Sequence, residues 1–339
     1  MTMNKYEKVD LSFQSCKSTY EEADVVIFSV PMDATTSFRP GTRFAGNAIR
    51  VDSFGVEWYS PYRERDLNEF KTADIGDLDL PIGAVEDALD MVYQTTKDIL
   101  EDDKIPMMVG GEHLVSYPVI KATFEKYPNL HIIHLDAHTD LRESFFGREL
   151  SHATFMRHVH KFVGDGKIFQ FGIRSGEKPE FDWAKKENGH IHQRKFDFEG
   201  LDQVCEQLKD VPVYITIDLD VLDPAVFPGT GTPEPGGMQY KDLLWAFDQF
   251  EKLNHLVAAD FVELSPMLDP SGASTAVAAK TLREMVLLLQ KGLEKRVWLS
   301  SHTIIMIHCR KWVIFFIIGI TLHSVDCFDY SRNIYWHRH

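Results

Sequence analysis

The sequence predicts an α/β fold: a mostly parallel sheet with helices on both of its faces. Three observations predict it. Short apolar runs rich in Val and Ile recur from about residue 24 to about residue 289, and they are unbroken rather than alternating, as in strands buried on both faces. Amphipathic stretches of helical spacing lie between them, and strand–helix–strand repetition builds parallel crossovers. No internal repeat or low-complexity linker interrupts the rhythm, so residues 1–291 read as a single catalytic domain.

Taken in order, the first strand is expected over residues 25–30, where Val, Ile and Phe dominate. A helix follows over 85–100, then a strand over 105–109 that runs into Gly110-Gly111-Glu112-His113. The two glycines are expected to let the chain turn sharply there. The next strand, 132–136, ends on an acid, as does the strand 213–218. Between them lies a strand over 168–173. A helix over 240–250, a strand over 256–262 and a helix over 274–289 complete the series, the last with a start signal in Ser271-Gly272-Ala273-Ser274. Ligands of such sheets bind beyond the carboxyl ends of the strands.

From about Gly292 the pattern changes. Residues 292–339 hold six Lys/Arg against three Asp/Glu, in a chain whose total charge is −15. The apolar run 312–322 is too short for a comfortable membrane span, so this segment is expected to be an atypical extension, non-native or poorly ordered, and to carry no catalytic residue.

Composition narrows the function. A chain with 44% hydrophobic and 26% charged residues has the balance of a soluble globular protein. The excess of acid argues against nucleic acid, whose phosphates need Lys and Arg. It suits a small cationic substrate, which a negative surface concentrates. Cys16, Cys205, Cys309 and Cys327 form no CxxC pair, so neither a zinc knuckle nor a disulfide framework is indicated. With no apolar leader in the first ten residues, a cytoplasmic location is expected.

The strongest chemical signal is Asp136-Ala137-His138-Thr139-Asp140. In extended chain, side chains at i, i+2 and i+4 point the same way, so two carboxylates and an imidazole converge at a strand end. Asp218-Leu219-Asp220 repeats the arrangement, and His113 follows a third strand. Any one of these residues is as well explained as a helix cap or a buried polar group; three such groups at strand ends are not. Four close carboxylates cannot all ionise unaided. Two divalent cations would balance them, and an oxygen-rich set with some imidazole suits manganese better than a thiolate-preferring ion. His131, His158 and His160 carry no chemistry in this reading.

Together with Pro40-Gly41-Thr42-Arg43-Phe44, Phe171-Gly172-Ile173-Arg174-Ser175, the proline- and glycine-rich stretch 228–237 and Glu263-Leu264-Ser265-Pro266, these segments resemble the ureohydrolases, the family of arginase, agmatinase and formimidoylglutamase. The resemblance spans about residues 25–289. It implies a three-layer αβα sandwich and two Mn2+ per chain. His113, Asp136, Asp140 and Asp218 would hold the first ion; Asp136, His138, Asp218 and Asp220 the second, with Asp136 and Asp218 bridging. Asp140 would also move a proton, Glu263 would orient the guanidinium, and His152 would shuttle protons or bind the substrate chain. A homotrimer or homohexamer is implied as well.

The loop Leu141-Arg142-Glu143-Ser144-Phe145-Phe146-Gly147 is similar to the agmatinase pattern, so agmatine, cleaved to putrescine and urea, is the expected substrate. Guanidinobutyrate, arginine and formiminoglutamate are the alternatives. Arg142 would favour a carboxylate-ended substrate if it faced the pocket. From other classes come a non-catalytic regulatory member of the family and a one-metal deacetylase; the first would lack metal ligands, and the second needs fewer. A membrane-associated protein rests only on residues 312–322.

Overall fold

The structure, a computed structural model, describes residues 11–185 and 189–309, with side chains described as far as residue 295. The strands are β1 (Val25–Ser29), β2 (Tyr59–Ser60), β3 (Arg65–Asp66), β4 (Thr72–Asp77), β5 (Ile105–Val109), β6 (His131–Leu135), β7 (Ile168–Ile173), β8 (His192–Lys195), β9 (Val213–Asp218) and β10 (Leu256–Val262). The helices are α1 (Ala45–Asp52), α2 (Val85–Glu101), α3 (Ser116–Lys126), α4 (Phe155–Val163), α5 (Lys178–Ala184), α6 (Leu201–Gln207), α7 (Tyr240–Phe250) and α8 (Ala273–Cys309). Eight strands form one sheet in the order β4-β1-β5-β10-β9-β6-β7-β8, and every pairing within it is parallel. β2 and β3 form a separate antiparallel hairpin.

Alternation along the strands explains the three layers. Val25 and Ile27 of β1 join one apolar cluster with α1, α6, α7 and α8. Val26 and Phe28 join another with α2, α3, α4 and α5. The same split divides β5, β6, β7, β9 and β10. Each strand therefore buries both faces, which is why its sequence is a continuous apolar run.

The edge strands β4 and β8 were not expected. β4 reads Thr-Ala-Asp-Ile-Gly-Asp and is half open, and β8 reads His-Gln-Arg-Lys with no buried residue. An edge strand lacks the double burial that makes a strand legible. The short helices α1, α4, α5 and α6 were too brief to establish a period, and α3, as long as α7, buries nearly consecutive residues, 116, 118–120, 122 and 123, rather than one helical face. α8 runs beyond the expected end at 289, to Cys309.

By its internal contacts the chain divides into a unit Met1–Trp298 and a unit Leu299–His339. Of the second unit only 299–309 is described, as helix. The apolar run 312–322 lies outside the described residues. Among the described residues no helix is long and apolar enough to cross a membrane.

The four central strands are adjacent in the order β5, β10, β9, β6. Their carboxyl ends lead into His113, Glu263, Asp218 with Asp220, and Asp136 with His138 and Asp140. The topology thus gathers segments more than a hundred residues apart at one rim of the sheet.

Candidate metal centre and active site

After β5 the chain passes close beneath its neighbours. A Cβ on Gly110 would lie 2.3 Å from Val262 Cγ1, and one on Gly111 would lie 2.0 Å from the Met32 carbonyl oxygen. Neither glycine has a positive φ, so the expected sharp turn is not what they serve. They let backbones approach, and the Gly110 and Gly111 N–H groups donate to the Phe261 and Val30 carbonyls.

His113 follows, fully buried. Thr216 Oγ1 donates to Asp260 Oδ1 at 2.6 Å, and so accepts from His113 Nε2 at 2.9 Å. Tyr214 donates its hydroxyl to the other oxygen of Asp260. This chain of bonds directs the proton of a neutral His113 to Nε2 and leaves a lone pair on Nδ1. That atom is buried without a hydrogen-bond partner. Three carboxylate oxygens face it: Asp136 Oδ2 at 3.1 Å, Asp218 Oδ2 at 3.2 Å and Asp140 Oδ2 at 3.4 Å. A lone pair among three anionic oxygens is repulsive unless a positive charge lies between them. Burial works to lower the His113 pKa, but Asp136, Asp140 and Asp260 outweigh it and raise it to about 9, so the cluster draws positive charge inward.

A second convergence shares Asp136. His138 Nδ1 lies 2.9 Å from Asp220 Oδ2 and 3.6 Å from Asp136 Oδ1. Asp220 Oδ2 has no hydrogen-bond partner either. His113 with Asp136 and Asp140, and His138 with Asp136 and Asp220, are each close enough to hold one ion. Burial raises Asp140 and Asp218, and neighbouring carboxylates add to it. Asp136 goes the other way: burial would raise it, but His134, His113 and His138 hold it well below the usual range. The donor set fits a pair of divalent cations, because two orphaned buried donor atoms sit where ions would complete them.

His134 joins the first group by proximity, yet its bonds give it another task. Gln170 Nε2 donates to His134 Nδ1 at 2.9 Å, so Nε2 carries the proton and donates to Asp136 Oδ2 at 2.7 Å. Gln193 donates to Gln170 in turn at 2.8 Å. The three residues are register partners on β6, β7 and β8. This ladder orients Asp136 from behind.

Two site residues sit in left-handed backbone, Asp140 at φ 52° and Glu263 at φ 67°. Strain of this kind persists where surroundings over-determine it. Glu180 supplies that for Asp140, accepting the Thr139 hydroxyl and the Leu141 N–H on either side of it. Glu263 Oε1 accepts the His113 N–H at 2.9 Å. Burial, with Glu112 and Asp220 nearby, raises Glu263 to about 8.

A cavity of about 260 Å³ opens over this rim, lined by His113, His138, Asp140, Asp218, Glu263 and His152 together with Arg142, Phe145, Glu177 and Glu180. His152 Nε2 pairs with Ser37 Oγ at 3.2 Å, and its N–H donates to Thr35 Oγ1. Burial is the main cause that lowers His152 to about 4, so it is neutral. Arg142 stacks over Phe145 and pairs with Glu177 at 3.1 Å. The candidate site residues His113, Asp136, His138, Asp140, His152, Asp218, Asp220 and Glu263 thus lie together at one rim of the sheet. Missed were His134, Thr216, Asp260, Thr35 and Glu180, and Glu112 was quoted only as part of its motif. His134 was findable, standing two residues before Asp136 on the strand that leads into it; Thr216, Asp260, Thr35 and Glu180 carry no motif.

A model of the arginase family matches residues 23–288. The chain is 49% identical to agmatinase of Bacillus cereus over 271 residues, 79% of this chain and 93% of that protein. It is 48% identical to agmatinase of Bacillus subtilis over 277 residues, 81% of this chain and 95% of that one. The crystal structure of a putative agmatinase from Clostridium difficile superposes with a TM-score of 0.78 at 46% identity, covering 80% of this chain and 98% of that one.

Proposed function

The chain belongs to the arginase family, and on that premise we propose that it hydrolyses the guanidino group of agmatine to putrescine and urea with two bound Mn2+ ions. The observation that carries this is His113 Nδ1, a buried nitrogen with no hydrogen-bond partner that faces three carboxylate oxygens. In the proposal His113, Asp136, Asp140 and Asp218 hold one ion, and Asp136, His138, Asp218 and Asp220 the other. Acid-rich ligation favours manganese over softer ions. When bound, the cations supply the acidity that makes water a nucleophile near neutral pH. Residues 1–291 are taken as the catalytic domain, assembled as a trimer or hexamer.

The side chains do the rest. Glu263 accepts two N–H groups of the guanidinium as a planar fork. Arrival of that cation favours the ionised carboxylate. Asp140 takes the proton of the attacking water and returns it to the leaving amine, which must depart protonated. Neutral His152 accepts a hydrogen bond from an N–H of the substrate, whose methylenes offer none. The positive charge of Arg142 is met by Glu177 and, at 3.8 Å, by Glu180, so carboxylates are in excess on this side chain's part of the cavity lining. That balance supports a substrate ending in an ammonium.

A second reading, guanidinobutyrate as substrate, has one observation in its favour: Arg142 lines the cavity. Urea release from agmatine, arginine, guanidinobutyrate and formiminoglutamate under added Mn2+ decides between them. Agmatine is expected to be preferred, with Glu177→Gln raising its KM. Preference for guanidinobutyrate, lost in Arg142→Ala, would establish the second reading. No urea from any of the four would end both.

A further inference from the structure

Among the described residues one group of metal-ligating side chains shares nothing with the cleft: His160, Asp165 and His190. His160 stands in the last turn of α4. Gly164, at φ 87°, ends that helix with its N–H on the His160 carbonyl at 2.9 Å. Asp165 follows. Gly166, at φ 72°, then donates its N–H to the His190 carbonyl at 3.3 Å. A single Gly-Asp-Gly turn therefore ties the backbones of both histidines to the acid between them.

The side chains converge to match. Asp165 Oδ1 lies 2.7 Å from His160 Nε2 and 2.6 Å from His190 Nδ1. Trp183 of α5 fixes both rings. It stacks on His190 with centroids 4.7 Å apart and planes 19° apart, and meets His160 edge-on at 4.8 Å and 83°. Rings held this way lose little freedom on binding an ion, and preorganisation of ligands is what gives a small site its affinity. The site opens to solvent, since the Asp165 side chain is 54% exposed.

We propose that His160, Asp165 and His190 form a second metal site that takes a late first-row divalent cation, zinc in the first instance, with solvent completing its coordination. Two imidazoles to one carboxylate is a donor set for zinc, nickel or copper, in contrast to the acid-rich cleft. Ligand atoms around a tetrahedral zinc at about 2.0–2.1 Å stand about 3.3 Å apart. Entry of the ion thus asks Asp165 to draw back by about half an ångström, which an exposed side chain can do. The two N–H···O bonds give way to two nitrogen–cation bonds: each ligating nitrogen gives up its proton, which passes by way of solvent to the ring's other nitrogen or, where that nitrogen is already protonated, is released to solvent. An ion there joins the end of α4 to the segment entering β8.

The test is calorimetric titration with Zn2+ of the full, Mn2+-loaded chain, beside His190→Gln, Asp165→Asn and Asp136→Ala. A zinc-binding event is expected in the wild type and in Asp136→Ala. It should be weakened at least about tenfold, the smallest cost of disturbing even an outer-shell partner, in His190→Gln and Asp165→Asn. The chain has six tryptophans, so the share due to Trp183 is taken as the difference from Trp183→Phe; Ni2+ should quench that share in the wild type and not in His190→Gln, with urea production equal in both. No zinc event in the wild type, equal zinc affinity in His190→Gln, or loss of the event in Asp136→Ala would overturn the proposal. The last outcome would assign the zinc to the cleft.

Discussion

At the scale of single residues, the cleft is a problem of charge and of proton direction. In the proposed ligand sets Asp136 and Asp218 are common to both cation positions, so Asp136→Ala should lose metal and urea production together. Metal content by elemental analysis checks this, and full activity with both ions retained would contradict the shared role. Thr216 makes a subtler case. It has no chemistry of its own, but by accepting from Nε2 it leaves the His113 Nδ1 lone pair free toward the carboxylates. Thr216→Val keeps the shape and removes that direction. Mn2+ affinity should fall about 10–100-fold, the usual cost of losing such a partner, and Thr216→Ser should restore most of it. The ligands themselves were legible, because i, i+2 spacing at a strand end needs no structure to interpret. Thr216 and Asp260 were not, since each lies mid-strand in an apolar run and gains meaning only from the neighbouring strand.

Among the elements, α8 shows how a local signal and a tertiary one combine. Its start was expected near Ser271–Ser274, but the residue that secures it is Asp269, which accepts the N–H and hydroxyl of Ser271 and of Ser274. These bonds outweigh burial and lower Asp269 to about 2. A carboxylate depressed on folding stabilises the native state above its ordinary pKa and loses that contribution as pH falls toward the depressed one. Asp269→Ala should therefore cost about 1 kcal/mol, in the range of lost helix caps, by urea denaturation at neutral pH. The gap between variant and wild type should close as pH falls from about 4 to about 2. A gap unchanged over that window would remove the carboxylate from the account. β4 and β8 teach the opposite lesson. Their polar sequences say little, and pairing to β1 and β7 alone makes them strands.

For the whole molecule, the central observation is that four adjacent strands deliver two histidines and a cluster of carboxylates to one rim. Folding brings like charges together, a repulsion that bound cations would offset. Chelation with EDTA should lower the melting temperature, and Mn2+ at about a hundred times its dissociation constant should add about 2.7 kcal/mol of stability through linkage. Differential scanning calorimetry at several Mn2+ concentrations measures it. A melting temperature indifferent to chelator and metal alike would show that no ion is held in the native state.

What the sequence determined by itself was periodic or local: doubly buried strands, the alternation of strand and helix, and carboxylate–imidazole spacings that face one way in extended chain. These depend on interactions within a few residues, or on burial that leaves its mark in composition. Only the tertiary structure decided the strand order that seats β10 and β9 between β5 and β6. It alone paired Arg142 with Glu177, set His134 behind Asp136, and held Asp140 in left-handed backbone through Glu180. Each of these joins residues without a shared local pattern, and the physical cause, contact between segments distant in the chain, has no counterpart in spacing or hydropathy.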